Sequence, residues 1–351
     1  MSQSIQIEKY SIGQNHPPFI IAEMSGNHNQ SLEQALKIVE AAAETGAHAL
    51  KLQTYTADTM TIDGSHESFY INDPNSLWKG QSLYNLYQKA YTPWEWHEAI
   101  FKRCYALGII PFSTPFDDSA VDFLENLNVS AYKIASFENN HLPLIRKVAQ
   151  TGKPMIISTG MASLSELEEA VDTARSEGCQ DIILLKCTST YPASPENSHL
   201  LTIPHLRELF DVEVGLSDHT MGIGVSVASV ALGSTVIEKH FTLSRAEGGV
   251  DSAFSMEPHE MKQLVQESLK AWQAMGKVHY GSSPAEEKSR VFRRSIYAVE
   301  DIKKEETLTY KNIRIIRPGK GLAPKYYDTL LGKKTSIDLK RGTPISWNCI
   351  G

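Results

Sequence analysis

Eight short apolar runs in this 351-residue chain each end on side chains able to bind charge, donate hydrogen bonds or hold a metal. FIIAEMS, from Phe19, offers Glu23 and then Asn27 and His28; ALKLQT, from Ala49, offers Lys51 and Gln53. IIPFSTP, from Ile109, ends in Ser113 and Thr114, and AYKIAS, from Ala131, supplies Lys133 and Ser136 with Glu138 just beyond. MIISTG, from Met155, gives Ser158 and Thr159; IILLKCTS, from Ile182, gives Lys186, Thr188 and Ser189, then Tyr191. EVGLSDH, from Glu213, closes on Ser217, Asp218 and His219, and TVIEKHF, from Thr235, carries Glu238 and His240. Lysines gathered among hydroxyls suit an anion, most simply a phosphate. Histidines ending two neighbouring runs suit a divalent metal, and two imidazoles alone would leave coordination positions open for Lewis-acid chemistry.

Each residue also has an ordinary reading. A lone Lys at a strand end is usually solvated or salt-bridged, and Ser113-Thr114 before Pro115 reads equally well as a helix cap. His16, His66, His97, His199, His205, His259 and His279 read as surface or core histidines. Cys187 reads as a small core residue, and Gly222 and Gly224 as shapers of a turn. The chemical reading gains weight because all eight ends are polar together.

Such ends must be held by a repeating scaffold. Most runs begin 22 to 31 residues apart and alternate with helical patterns, the signature of βα units around a parallel sheet. SLEQALKIVEAAAETG opens on Ser31 as an N-cap and closes at Gly46; Ser163 and Glu166 have the spacing of a capping box. Eight units in about 250 residues predict a closed (β/α)8 barrel, with its active site at the C-terminal ends of the strands. An open doubly wound sheet would also alternate, but no G-x-G-x-x-G follows the first run. The 60-residue interval between the second and third runs holds an insertion rich in aromatics. From about Arg290 the texture changes to short β-like stretches broken by turns, read as a small β-rich domain.

Composition narrows the class. Hydrophobic residues at 41% and charged residues at 21% describe an ordinary globular chain. Mean hydropathy is −0.27, and no run approaches the roughly 20 apolar residues of a membrane span. The start, MSQSIQIEKY, has no cationic-then-apolar secretory pattern, and the four cysteines fit no metal or redox spacing, so a cytoplasmic protein with free thiols is expected. The net charge of −7 divides unevenly. From Arg290 onward there are 14 basic and 6 acidic residues, a local +8, against −15 for the remainder. The basic residues carry no aromatic-basic motif, so the contrast points to two domains that dock rather than to nucleic acid.

The strings AEMSGNH, KLQTY, FSTPFD, YKIASFE, STGMAS, KCTSTYP, GLSDHT and EKHF, in this order, resemble the sialic acid synthase family. PNSLWKGQSLYNLYQKAYTPWEWH, ASFENNHLPLI and KCTSTYPA are similar to the branch of that family that makes pseudaminic acid. The resemblance implies a barrel over residues 1–280, a linker at 281–290 and an antifreeze-like (SAF) domain at 291–351. It implies metal-dependent condensation of phosphoenolpyruvate with 2,4-diacetamido-2,4,6-trideoxy-L-altrose, giving a nine-carbon 2-keto-3-deoxy acid and phosphate. N-acetylneuraminate and legionaminate synthesis are the neighbouring alternatives.

Carried over by position, Lys51, Thr114, Lys133, Ser136, Ser158 and Ser217 would hold phosphoenolpyruvate, with Lys51, Lys133 and Glu23 in the catalytic set. His219 and His240 would hold the metal, Mn2+ before Mg2+ or Co2+. Gln53, Glu138, Ser189, Tyr191 and Asp251 would face the sugar. Arg317, in IRPG, would join the catalytic and sugar-binding sets from the neighbouring subunit, reaching its active site in a domain-swapped homodimer. Ser189 stands where synthases of sialic acid proper usually have Asn, which agrees with the pseudaminic branch. Phe69, Tyr70, Trp78, Tyr84 and Tyr87 of the insertion could pack against the less polar face of a 6-deoxy sugar. A Schiff-base aldolase on the same barrel, with Lys133 or Lys51 as nucleophile, is the competing chemistry. A pure binding protein would leave the polar strand ends unexplained.

Overall fold

The computed structural model describes residues 4–74 and 76–351. The chain divides into two compact units, one ending at Gly276 and one spanning Lys277–Gly351.

A hairpin of two three-residue strands, β1 (Ile5–Ile7) and β2 (Tyr10–Ile12), opens the first unit. Eight parallel strands follow: β3 (Phe19–Glu23), β4 (Ala49–Thr54), β5 (Ile110–Pro115), β6 (Tyr132–Ile134), β7 (Met155–Ser158), β8 (Ile182–Cys187), β9 (Glu213–Ser217) and β10 (Val236–His240). Each pairs with the next and β10 pairs with β3, closing the barrel expected from the eight runs. Helices lie between the strands. The first, Leu32–Thr45, has Ser31 as its N-cap, accepting from the Gln34 N–H, and ends at Gly46 with φ 85°. Helix Leu164–Ser176 begins with the expected capping box, Ser163 and Glu166 each closing on the other's backbone.

Because side chains alternate along a strand, each barrel strand feeds two cores. Phe19, Ile21, Ala49, Ile110, Phe112, Ala131, Ile156, Ile183, Leu185 and Val236 fill the interior, where Ile5, Ile7 and Ile12 of the hairpin join them. Ile20, Leu50, Leu52, Tyr132, Ile157, Leu184, Val214, Leu216 and Ile237 point the other way and pack against the helices. The inward parity, continued to each strand's C-terminal end, fixes which polar side chains meet.

In the second unit, β11 (Ser295–Ala298) and β12 (Ile313–Ile316) form an antiparallel pair, extended by isolated bridges such as Ile302 with Leu339. Ile296, Leu308, Ile313, Leu330, Leu339 and Ile345 give it a core of its own.

Candidate active site

Inward parity brings Glu23, Lys51, Lys133, Ser217, Glu238, His219 and His240 together in the barrel, all of them buried except His240, which is half-buried. At the centre, Lys51 Nζ lies 2.7 Å from Glu23 Oε2 and 3.8 Å from Glu238 Oε1, and donates to Thr114 Oγ1 at 3.1 Å. Gln53 donates to Glu23 Oε1 at 2.9 Å and to Ser25 Oγ at 3.1 Å. Lys133 donates to Ser158 Oγ at 2.6 Å and to the Ile134 carbonyl at 3.0 Å, while Ser217 donates to Glu238 Oε1 at 3.2 Å. The two lysines and their hydroxyls form one cationic floor.

The two carboxylates that share Lys51 are driven apart. Burial pushes Glu23 up, and the opposing pull of Lys51 does not cancel it. Burial acts on Glu238 in the same sense, but Lys51, Lys133 and His219 together outweigh it and hold it below the usual carboxylate range. Paired carboxyls with opposite shifts are an acid and an anion prepared for different tasks. Burial opposes the charge on Lys51, yet Glu23 and Glu238 keep the ammonium above its ordinary value. Lys133 is pushed down by burial, which the pull of Glu238 does not cancel.

The rings of His219 and His240 stand 5.3 Å apart, centre to centre. Tyr191 lies 4.5 Å from His219 and Phe254 lies 5.0 Å from His240, so aromatic rings wall the pair. His219 Nδ1 donates to the Thr188 carbonyl at 2.9 Å, which leaves the Nε2 lone pair free. Burial, His219 and Lys51 hold His240 well below the ordinary imidazole value, and its buried Nδ1 has no hydrogen-bond partner. Burial opposes a charge on His219, but Cys187 and the Thr188 carbonyl outweigh it and hold His219 above the ordinary imidazole value. A divalent transition ion would therefore bind this imidazole pair in competition with a proton on His219. Among the described residues no group of three or more His, Cys, Asp or Glu is arranged around a metal position. Two protein ligands would therefore leave the remaining positions to water or substrate.

Asp251 is buried beside the pair, its Oδ2 3.8 Å from His240 Nδ1 and accepting from Ser25 Oγ. Burial lifts the Glu138 carboxyl to about 7 against the pull of Lys133, and its Oε2 has no partner. Glu138 Oε2, Glu238 Oε2 and His240 Nδ1 are thus three buried polar atoms left unsatisfied at the barrel mouth. Each such group costs about 1–3 kcal/mol when it has no partner, so this mouth is built for a polar ligand. Ser136 and Ser189 meet at Gly160, where a Cβ would fall 2.3 Å from Ser136 Cβ and 3.0 Å from Ser189 Oγ; φ there is 36°. Only glycine lets those loops close on each other.

Several polar strand ends turn elsewhere. Ser113 faces outward, in a buried chain with Thr54 and His97. Lys186 points away from the interior and bonds the Cys187 carbonyl and Thr188 Oγ1. His28 bonds Thr92, and Asn27 braces the Phe241 carbonyl and Ser255. Within the insertion, Trp78 donates to the Val250 carbonyl at 3.0 Å and lies 6.1 Å from Tyr191, whereas Tyr84 bonds Asp58 and Tyr70 is exposed. Arg317 belongs to the other unit, exposed, one residue past β12.

Two inward residues escaped the sequence reading of the site. Glu238 was legible only as one of the polar ends, and Cys187, taken for core, has its Sγ 3.9 Å from His219 Nδ1 and 3.8 Å from Ser189 Oγ. The parity of VIEKH and IILLKC carries both: Glu238 shares a face with His240, and Cys187 with Leu185.

A barrel with a cationic floor, a two-histidine edge and an appended small β domain defines a class. Residues 38–280 match the NeuB family and residues 293–351 the SAF domain, and the chain belongs to the NeuB family. It is 46% identical over 324 residues to a pseudaminic acid synthase of Campylobacter jejuni, an alignment covering 92% of this chain and 94% of that one. The pseudaminic acid synthase of Helicobacter pylori is 44% identical, covering 94% of this chain and 97% of the relative. Among solved structures, an N-acetylneuraminic acid synthetase from Leptospira borgpetersenii superposes with a TM-score of 0.73 at 31% identity, covering 82% of this chain and 95% of that one.

Proposed function

We propose that this chain is an enzyme that condenses phosphoenolpyruvate with 2,4-diacetamido-2,4,6-trideoxy-L-altrose to form pseudaminic acid, with release of phosphate. The observation that carries this reading is the 44–46% identity to two pseudaminic acid synthases across more than nine-tenths of the chain. The site supports the chemistry. Lys51 and Lys133, with Thr114, Ser136, Ser158 and Ser217, would bind the phosphate and carboxylate of phosphoenolpyruvate. Gln53, Glu138, Ser189, Tyr191 and Asp251 would bind the sugar. His219 and His240 would hold a divalent ion, Mn2+ in first place, and such an ion supplies a Lewis acid to the aldehyde oxygen.

In this scheme C3 of the enol forms a bond to the aldehyde carbon, and the aldehyde oxygen takes up a proton. Glu23, which burial keeps protonated to higher pH, would give that proton. Lys51 would neutralise the phosphate and carboxylate, while the anionic Glu238 would stabilise the cationic character at C2 and orient the water that adds there. The bond between C2 and the bridging oxygen then breaks, and phosphate departs over the two lysines.

One observation favours a second reading: burial lowers Lys133, as a Schiff-base nucleophile requires. Borohydride trapping with pyruvate separates the two, since only the aldolase would give a covalent adduct. The substrate is tested by following phosphate release with Mn2+ and each of three sugars. The altrose derivative should exceed N-acetylmannosamine and the legionaminate precursor by at least about tenfold in kcat/KM, which asks for about 1.4 kcal/mol of discrimination. Equal efficiency with N-acetylmannosamine would overturn the sugar assignment.

Arg317 would complete the sugar site of a partner barrel in a domain-swapped homodimer. Exposed apolar side chains on the loops after three strands, Phe137, Met161 and Met221, give that barrel rim a surface to cover. An inactive Arg317→Ala chain mixed with an inactive His240→Ala chain should regain partial activity, because one site of each mixed dimer carries neither change. No recovery after demonstrated subunit exchange would sink the swapped arrangement.

A further inference from the structure

The two candidate metal ligands each have a charged neighbour of opposite sign, and those neighbours meet. Asp218 precedes His219 and Lys239 precedes His240, so strand alternation turns both to the outer side of the wall while the imidazoles turn inward. There Lys239 Nζ lies 3.1 Å from Asp218 Oδ2 and donates to the carbonyls of Thr220 at 2.5 Å and Gly222 at 3.1 Å. Asp218 also accepts from the Thr220 N–H at 2.9 Å and from Ser226 Oγ at 2.6 Å. Lys239 is 1% exposed and Asp218 3% exposed.

All three Lys239 bonds join the strand that carries His240 to the turn that carries His219, and the Asp218 bonds to Thr220 and Ser226 brace that turn. The backbone adds one more link, from the Asp218 N–H to the Glu238 carbonyl at 3.0 Å. A buried ion pair is a poor source of stability, since removing two charges from water costs about as much as their attraction returns. A pair of matched apolar residues would close the same wall. What the charges add is direction: an ammonium with three fixed acceptors tolerates one placement of the turn, whereas a methyl contact tolerates several. The imidazoles are one residue away on each side, so their spacing is set by that placement.

We propose that the buried Lys239–Asp218 pair is a positioning device that holds His219 and His240 at metal-binding separation. It rests on the reading that these histidines hold the divalent ion. Lys239 and Asp218 touch neither substrate nor metal; they act through the two histidines.

The test is Mn2+ affinity, read from the free-ion electron paramagnetic resonance signal with the full-length protein and the metal alone. Asp218→Asn leaves Lys239 its two carbonyls and should weaken Mn2+ binding at least about tenfold, the usual loss when an outer support of a ligand is removed. Lys239→Met with Asp218→Asn removes both charges together. It should keep a melting temperature within a few degrees of wild type and still bind Mn2+ at least about tenfold more weakly. A purely structural pair would show the reverse, with lower melting temperatures and unchanged affinity of the folded protein. Affinity within about twofold of wild type in a folded variant of either kind would overturn this inference alone. Absence of Mn2+ binding by wild type, or wild-type binding by His219→Ala, would overturn the metal reading and this inference with it.

Discussion

The two sides of the barrel interior bury side chains to similar depth and for opposite ends. Around the hairpin, Ile5, Ile7 and Ile12 meet Phe19, Ile21, Phe112 and Val236, so mainly apolar surface leaves water, and the buried Glu213 there is paired with Arg207. At the C-terminal mouth, Glu23, Lys51, Lys133 and Glu238 are as deeply buried, yet three polar atoms there have no partner. One region spends its burial on stability. The other holds desolvated charge in reserve for a ligand, and the strong opposite shifts of Glu23 and Glu238 follow from that.

The comparison breaks most decisively at the histidines. Chelator, His219→Ala or His240→Ala should lower kcat at least about a thousandfold, the scale of losing Lewis-acid assistance, while the melting temperature moves by a few degrees at most. Full activity in metal-stripped protein would remove the metal from the mechanism. Ile7→Ala should do the converse. It should cost about 2–5 kcal/mol in denaturant unfolding and leave kcat and KM unchanged at a temperature where the variant is folded. A large activity loss there would mean that the two regions are not separable.

A smaller effect sharpens the picture of the mouth. The folded Glu138 carboxyl titrates at about 7 rather than at its ordinary 4.5, so the native state holds its proton longer than the unfolded chain does. Its contribution therefore falls as pH rises from about 4.5 to about 7, and the cost is fully present above that window. Glu138→Gln should abolish this dependence and gain up to about 3 kcal/mol over wild type at pH 8, less what solvent screening removes. Parallel stability–pH curves for the two proteins would show that Glu138 is not held in an apolar setting.

The strands of this barrel were legible because each is a run of β-branched and apolar residues between turn signals, from FIIAE to VIEKH. The hairpin was not, because IQI and YSI are too short to show a period; tertiary burial of Ile5, Ile7 and Ile12 makes them strands. The site was legible as a set of polar ends but not as a geometry. Shifting a strand boundary by one residue exchanges its inner and outer faces, so Ser113 looked as good as Thr114, and the outward Lys186 stood among the polar ends while the inward Cys187 read as core. Glu238 was legible only as a polar end for the same reason, and the pairing of Asp218 with Lys239 needed two strands side by side.

The most direct measurement follows the bridging oxygen. Phosphoenolpyruvate labelled with 18O between C2 and phosphorus should, with the sugar and Mn2+ present, yield inorganic phosphate that carries the label, because water adds at C2 and the carbon–oxygen bond breaks. Unlabelled phosphate would mean cleavage at phosphorus. It would contradict the roles of Lys51, Glu238 and the water that they orient at C2.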